Sequence, residues 1–141
     1  MRIGISGGTF DPVHRGHIES ALAAKNALQL DKVVFVPAGE PPHKLDRRIT
    51  PDKDRLAMLR TAIAPYEGFE ISEYELLKQE YSYSIDTVKH FAREYGSKTE
   101  LFYITGADVL GELKHWKDCE ELFRLCSFAV LMRPGYDRTQ F

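Results

Sequence analysis

Cysteine is scarce in this chain, with Cys119 and Cys126 the only two among 141 residues. That is too few for the disulfide framework of a small secreted domain. Both fall in a predicted helix, on one face but too far apart along the axis for an easy bridge. They read as small buried hydrophobes, and the paired ligand spacing of a zinc site is missing. An excess of one charge is missing as well: 19 Lys and Arg against 21 Asp and Glu leave a formal net charge of −2. This excludes a globally basic nucleic-acid binder. No apolar run approaches the ~20 residues that span a bilayer, and the opening MRIGIS is strand-like rather than a cleaved signal peptide. The expected setting is the cytoplasm, with neither membrane nor nucleic acid as partner. Low-complexity tracts, internal repeats and long linkers are also lacking, so residues 1–141 are expected to form a single domain. That length can bury a real core, and 43% hydrophobic with 28% charged residues is ordinary for a globular chain.

What is present is an alternation of strand and helix patterns. Residues 2–6 (RIGIS) predict a buried strand ending at Gly7 and Gly8. Residues 16–28 are helical in pattern, with Ile18, Ala21, Leu22 and Leu28 on one face. Residues 32–36 (KVVFV) predict a second strand, stopped by Pro37. Residues 37–50 carry Pro37, Gly39, Pro41 and Pro42 and predict an irregular loop. Thr50 then looks like an N-cap with Pro51 in the first helical position, and Leu56, Leu59 and Ile63 continue the helix. Residues 69–71 predict a third strand and lead into a polar stretch. A helix capped near Ser84 follows, with Ile85, Val88, Ala92 and Tyr95 inward and Gly96 at its end. Residues 101–105 (LFYIT) predict a fourth strand, and short helices are expected around 109–113 and 119–126. Residues 128–132 (FAVLM) predict a fifth strand. The expectation is an α/β fold: a Rossmann-like, doubly wound, mainly parallel sheet of about five strands with helices on both faces. Ligands of such sheets bind outside the carboxyl ends of the strands, where the chemically interesting clusters of this sequence fall.

The first cluster is GGTFDPVHRGH at residues 7–17. Gly7 and Gly8 let backbone come close to a ligand, and Asp11-Pro12 favours a turn. His14 and His17 flank the expected helix N-terminus, where free N–H groups and the helix dipole attract anions, and Thr9 adds a hydroxyl. Together these predict a phosphate cradle without a P-loop lysine. A glycine pair after a strand is by itself more often a plain turn. His-x-x-His is also the spacing of a metal pair, yet no third ligand stands at suggestive spacing. The convergence of glycine, hydroxyl and imidazole on one strand end is what gives the segment its specificity.

GTFDPVHRGH resembles the (H/T)xGH signature of the adenylyl- and cytidylyltransferase superfamily. The resemblance implies attack of a substrate phosphate on the α-phosphate of a nucleoside triphosphate, with pyrophosphate leaving. That chemistry rests on alignment and charge neutralisation. It implies catalytic roles for His14 and His17, a phosphate-binding segment through Gly7, Gly8, Thr9 and Phe10, and Mg²⁺ held through phosphate oxygens rather than by protein ligands.

Later segments narrow the resemblance. Residues 37–44 (PAGEPPHK) are similar to the PxxxPPHK loop of bacterial nicotinate mononucleotide adenylyltransferases, which implies that Lys44 meets phosphate in the ATP and mononucleotide sites. Residues 82–87 (SYSIDT) resemble that family's SYTxDT element, which implies that Tyr83, Ser84 and Thr87 lie at the nicotinate mononucleotide; alone, the segment reads as a serine-capped helix. Gly106-Ala107-Asp108 with Trp116 is similar to the family's GAD…W element, implying ATP-side contacts from Gly106 and Asp108 and a pyridine-stacking role for Trp116. A sole tryptophan is more often core, but LKHWKD is a polar setting that suits a surface shelf. Arg133 in RPGY implies a further phosphate contact. Ser84 stands where threonine is usual, and Lys78 where arginine is common.

The implied activity is adenylyl transfer from ATP to nicotinate mononucleotide, giving deamido-NAD and pyrophosphate. The family's ISSTxxR-like C-terminal segment has no counterpart in the sequence. A domain lacking that segment is therefore expected, with an apolar face left for a partner or a second copy, and a homo-oligomer is one outcome. Two other readings stand beside this one. A pantetheine-phosphate adenylyltransferase is similar in length, but its PGSFDP opening with threonine at position 14 differs from GGTFDPVH. A non-catalytic nucleotide-binding module is the other.

Overall fold

A computed structural model describes residues 1–39, 50–78 and 83–131, with residues 107–110 as backbone. Five strands form one parallel sheet: β1 (Arg2–Gly8), β2 (Lys32–Pro37), β3 (Phe69–Ile71), β4 (Glu100–Gly106) and β5 (Ser127–Leu131), in the order β3-β2-β1-β4-β5. The expected Rossmann-like architecture is the one found. Helices α1 (Arg15–Leu28), α2 (Asp52–Ile63), α3 (Tyr74–Leu77), α4 (Ser84–Tyr95) and α5 (Cys119–Leu125) join the strands, together with a 3₁₀ helix at Ala107–His115.

The alternation of side chains along each strand divides the core in two. Val33 and Phe35 of β2, with Phe102 and Ile104 of β4, pack with Ile18, Ala21 and Ala24 of α1 and with Leu59 and Ile63 of α2. Val34 and Val36, with Ile3, Ile5 and Leu101, meet Ile85, Val88 and Phe91 of α4 and Leu122 of α5. A strand buried on both faces reads as a continuous apolar run, which is why KVVFV shows no alternation in sequence. Winding proceeds outward from β1 through β2 to β3, then returns to β4 on the other side of β1. The crevice at this reversal, between the carboxyl ends of β1 and β4, is where a doubly wound sheet takes its ligand.

Three local expectations change. Thr50 does not cap α2: its N–H donates to the Asp11 carboxylate at 2.9 Å and its carbonyl accepts from Arg55. Pro51 becomes the N-cap residue, without a side-chain bond, because the Asp11 carboxylate and the Arg55 side chain of α2 itself have claimed the backbone groups of Thr50. Tyr83, the immediate neighbour of Ser84, sits at the N-cap of α4, within the expected cap position. The polar stretch after β3 contains the short helix α3. Cys126 is buried as expected, while Cys119 is half-exposed, with its thiol on the Lys114 carbonyl at 3.6 Å.

Candidate active site

The segment after β1 is built to aim two imidazoles. Phe10 takes a left-handed φ of 49°, and the chain turns through a cis Asp11–Pro12 bond to reach His14, the N-cap of α1. His14 Nδ1 accepts the Gly16 N–H at 3.1 Å, and His17 Nδ1 accepts the His14 N–H at 3.0 Å. This is a capping box in which imidazoles replace the usual hydroxyl and carboxamide. The rings stack with centroids 3.8 Å apart and planes 28° from parallel.

That pattern fixes the protons. An Nδ1 that accepts an N–H must keep its lone pair, so a neutral ring carries its hydrogen on Nε2. Both imidazoles are thus Nε2–H donors. Burial pushes the pKa of His17 below its ordinary value, and the neighbouring His14 adds to the shift. Two Nε2–H donors beside a helix N-terminus, where the first N–H groups lie unpaired within the helix, suit donation to phosphate oxygens. They do not suit metal ligation, which needs the Nε2 lone pair.

The predicted glycines stand where expected, at the end of β1, but the protein itself fills the space beside them. A Cβ on Gly7 would lie 2.8 Å from the Tyr103 hydroxyl, and one on Gly8 would meet the Phe10 ring at 3.6 Å. Phe10 is buried, edge-on to His17 at 4.9 Å and to Phe35 at 5.8 Å. It supports the imidazole from beneath. The Thr9 carbonyl accepts from Arg55 at 2.8 Å.

Across the crevice, Tyr103 of β4 draws the second group of predicted residues together. Its hydroxyl lies 3.3 Å from Ser84 Oγ, and its ring meets Trp116 edge-on at 5.8 Å. Lys117 Nζ sits 4.6 Å over the Tyr83 ring, joining the segment after the 3₁₀ helix to the start of α4. Trp116 is half-buried and packs against Tyr103 and Phe128, so the expected surface shelf is backed by core. Thr87 is buried and donates its hydroxyl to the Glu75 carboxylate at 2.6 Å. Burial raises the Glu75 pKa, while Thr87 and then Lys78 pull it down. Gly106 closes β4. Lys44, Arg133 and the side chain of Asp108 lie outside the described residues.

The structure thus brings Gly7, Ser84 and Trp116 around one tyrosine, with the His14–His17 pair at the end of the same strand β1. Sequence reasoning missed Tyr103, Glu75 and Arg55. The last left a signal, since Arg55 lies four residues before Leu59 on the buried stripe of α2.

The cytidylyltransferase-like family matches residues 5–141. The chain belongs to that family. Among its relatives are proteins named probable nicotinate-nucleotide adenylyltransferase. A protein of a Thermoanaerobacter species, named probable nicotinate-nucleotide adenylyltransferase, is 47% identical over 137 residues, covering 97% of this chain and 65% of the relative. One from Moorella thermoacetica with the same name is 47% identical, covering 96% of this chain and 62% of the relative. The chain therefore spans somewhat less than two thirds of the length of these relatives. Among solved structures, Plasmodium falciparum nicotinic acid mononucleotide adenylyltransferase complexed with NaAD superposes with a TM-score of 0.73 at 16% identity. That match covers 96% of this chain and 77% of the other, and it shows the shared fold.

Proposed function

We propose that this protein transfers the adenylyl group of ATP to nicotinate mononucleotide. A phosphate oxygen of the mononucleotide attacks the α-phosphorus, a new P–O–P link forms, the α–β bridging P–O bond breaks, and pyrophosphate leaves with deamido-NAD as product. The observation that carries the reading is the pair of Nε2–H donors at the start of α1, the helix that follows the carboxyl end of β1, the side on which such a sheet takes ligands. Their task is to hold the triphosphate and stabilise charge as pyrophosphate departs. The names carried by the relatives support the choice of substrates.

Gly7, Gly8, Thr9 and Phe10 form the wall of the ATP side, with Gly106, Asp108, Lys44 and Arg133 assigned to the same side by family resemblance. Tyr83, Ser84 and Trp116 form the mononucleotide side, where the start of α4 meets the carboxylate and Trp116 stacks on the pyridine. Thr87 takes part from behind, by fixing that helix start through Glu75. Mg²⁺ is expected on the phosphate oxygens of ATP, where it shields their charge; the donor character of both imidazoles fits that division of labour. The unpaired thiols of Cys119 and Cys126 accord with a reducing cytoplasm.

The test is steady-state pyrophosphate release with ATP, Mg²⁺ and nicotinate mononucleotide. Turnover that requires the mononucleotide is expected, and its absence would refute the assignment. Trp116→Ala should raise KM for the mononucleotide and leave that for ATP unchanged; an unchanged mononucleotide KM removes the stacking role.

A further inference from the structure

Arg55 is the largest fully buried side chain among the described residues, with its guanidinium wholly out of solvent. Removing such a charge from water is costly, and core packing alone does not require it, since an apolar residue fills a core equally well. Its hydrogen bonds show what it does there. Nη1 donates to the carbonyls of Thr9 at 2.8 Å and Ala38 at 2.7 Å, Nε to the carbonyl of Thr50 at 2.9 Å, and Nη2 to the half-exposed Asp52 carboxylate. Those three carbonyls belong to three separate segments at the carboxyl edge of the sheet: the turn after β1, the end of β2, and the approach to α2. A second tie runs beside it, from Thr50 N–H to the Asp11 carboxylate at 2.9 Å. Thr9 precedes Phe10, whose ring lies edge-on to His17 at 4.9 Å.

We propose that Arg55 is the positioning residue of the phosphate cradle, a planar fork that sets the 9–11 turn against β2 and α2 and, through Phe10, fixes the aim of His17. The guanidinium suits this role because its donors diverge in one rigid plane, so three carbonyls are fixed relative to one another. A lysine in its place keeps the charge and loses the fork. The proposal rests on the reading that the cradle holds ATP.

Calorimetric titration of the full 141-residue chain with Mg-ATP, and separately with nicotinate mononucleotide, tests it without relying on turnover. Arg55→Lys is expected to weaken ATP on the order of tenfold, since misaimed groups lose most of their effect, with mononucleotide affinity within about twofold of wild type. Unchanged ATP affinity in the folded variant, or equal weakening of both ligands, overturns the positioning role in favour of simple support of the fold. Where Arg55→Lys does not fold, Asp52→Ala releases one arm of the fork from a half-exposed position. It should weaken ATP several-fold, and unchanged ATP affinity there overturns the proposal. A wild-type chain that binds ATP but not nicotinate mononucleotide refutes the acceptor assigned above and leaves the Arg55 comparison standing; one that binds no ATP overturns both.

Discussion

His14 and His17 stack at 3.8 Å between ring centroids while His17 Nδ1 takes the backbone N–H of His14. One interaction thus bears on both stability and chemistry: the bond that caps the helix also dictates which nitrogen of the neutral ring carries the hydrogen. The two contributions separate by mutation. Glutamine at the third helical position can return the same cap, so His17→Gln should keep thermal stability within about 0.5 kcal/mol of wild type. It should lose about 10²-fold in turnover, because the Nε2–H donor is gone. His17→Ala should lose the cap as well, about 1 kcal/mol. Melting curves beside pyrophosphate release check both, and a His17→Gln enzyme with wild-type turnover would remove the catalytic assignment.

The burial of His17, with His14 beside it, predicts a pH dependence. The pKa of His17 is lowered in the folded chain from an ordinary value of 6.5. Between the folded value and 6.5 the unfolded chain therefore binds more protons, and stability falls as pH falls through that window. Above 6.5 both states are neutral at this site and it gives no slope. Protonation also places a hydrogen on Nδ1, where the His14 N–H now donates. Melts at pH 7.5, 6.5 and 5.5 should show the loss, and His17→Gln should flatten it; equal slopes in the two proteins would assign the effect elsewhere.

Gly7 and Tyr103 form a second testable pair. The Tyr103 hydroxyl is the atom a Cβ on Gly7 would strike, at 2.8 Å, while the next nearest, Tyr103 Cζ, is 3.7 Å away in ordinary contact. Gly7→Ala should cost about 1–3 kcal/mol by overpacking. Deleting the hydroxyl removes the clash, so in a Tyr103→Phe background the same change should cost well under half as much. A double-mutant cycle in denaturant reads the coupling. Additive effects would show that Gly7 is required for something other than room for Tyr103.

The order of strands and helices was legible because each strand buried on both faces leaves an unbroken apolar run, and each helix a stripe at helical spacing. GGTFDPVHRGH was legible as a cradle because its glycines, turn and imidazoles are contiguous, so local chemistry determined its shape. What escaped was every contact made across the sequence. Tyr103 looked like one more apolar strand residue, since nothing in LFYIT reveals that its hydroxyl meets Gly7 and Ser84. Thr50 carried a sound local capping signal, yet Asp11 and Arg55 took its backbone groups. Thr87 read as part of the mononucleotide site by resemblance, but its hydroxyl turns inward to a carboxylate twelve residues earlier. Propensity describes what a segment prefers alone; these residues follow partners that only the fold supplies.

That inward turn supports the last prediction. Glu75 is drawn out of water, which raises its pKa above the ordinary carboxylate value, and the Thr87 hydroxyl is the strongest influence pulling it back. Thr87→Val keeps the shape and deletes the donor. A carboxylate left with an unmet acceptor should destabilise the chain by about 1–3 kcal/mol at neutral pH. Because the folded chain holds this proton longer than the unfolded one, Glu75 detracts from stability as pH rises from 4.5 through its raised value. The valine variant should widen that window upward. Replacing both partners, as in Thr87→Val with Glu75→Leu, should recover most of the loss, since neither polar group then stands alone. Urea unfolding at pH 4.5 and 7 reads all three proteins. Because Thr87 lies in the first turn of α4 beside Ser84, the single variant should also raise KM for the mononucleotide while leaving KM for ATP unchanged. Equal stability of wild type and Thr87→Val would show that the carboxylate has another partner and that the helix start does not depend on this bond.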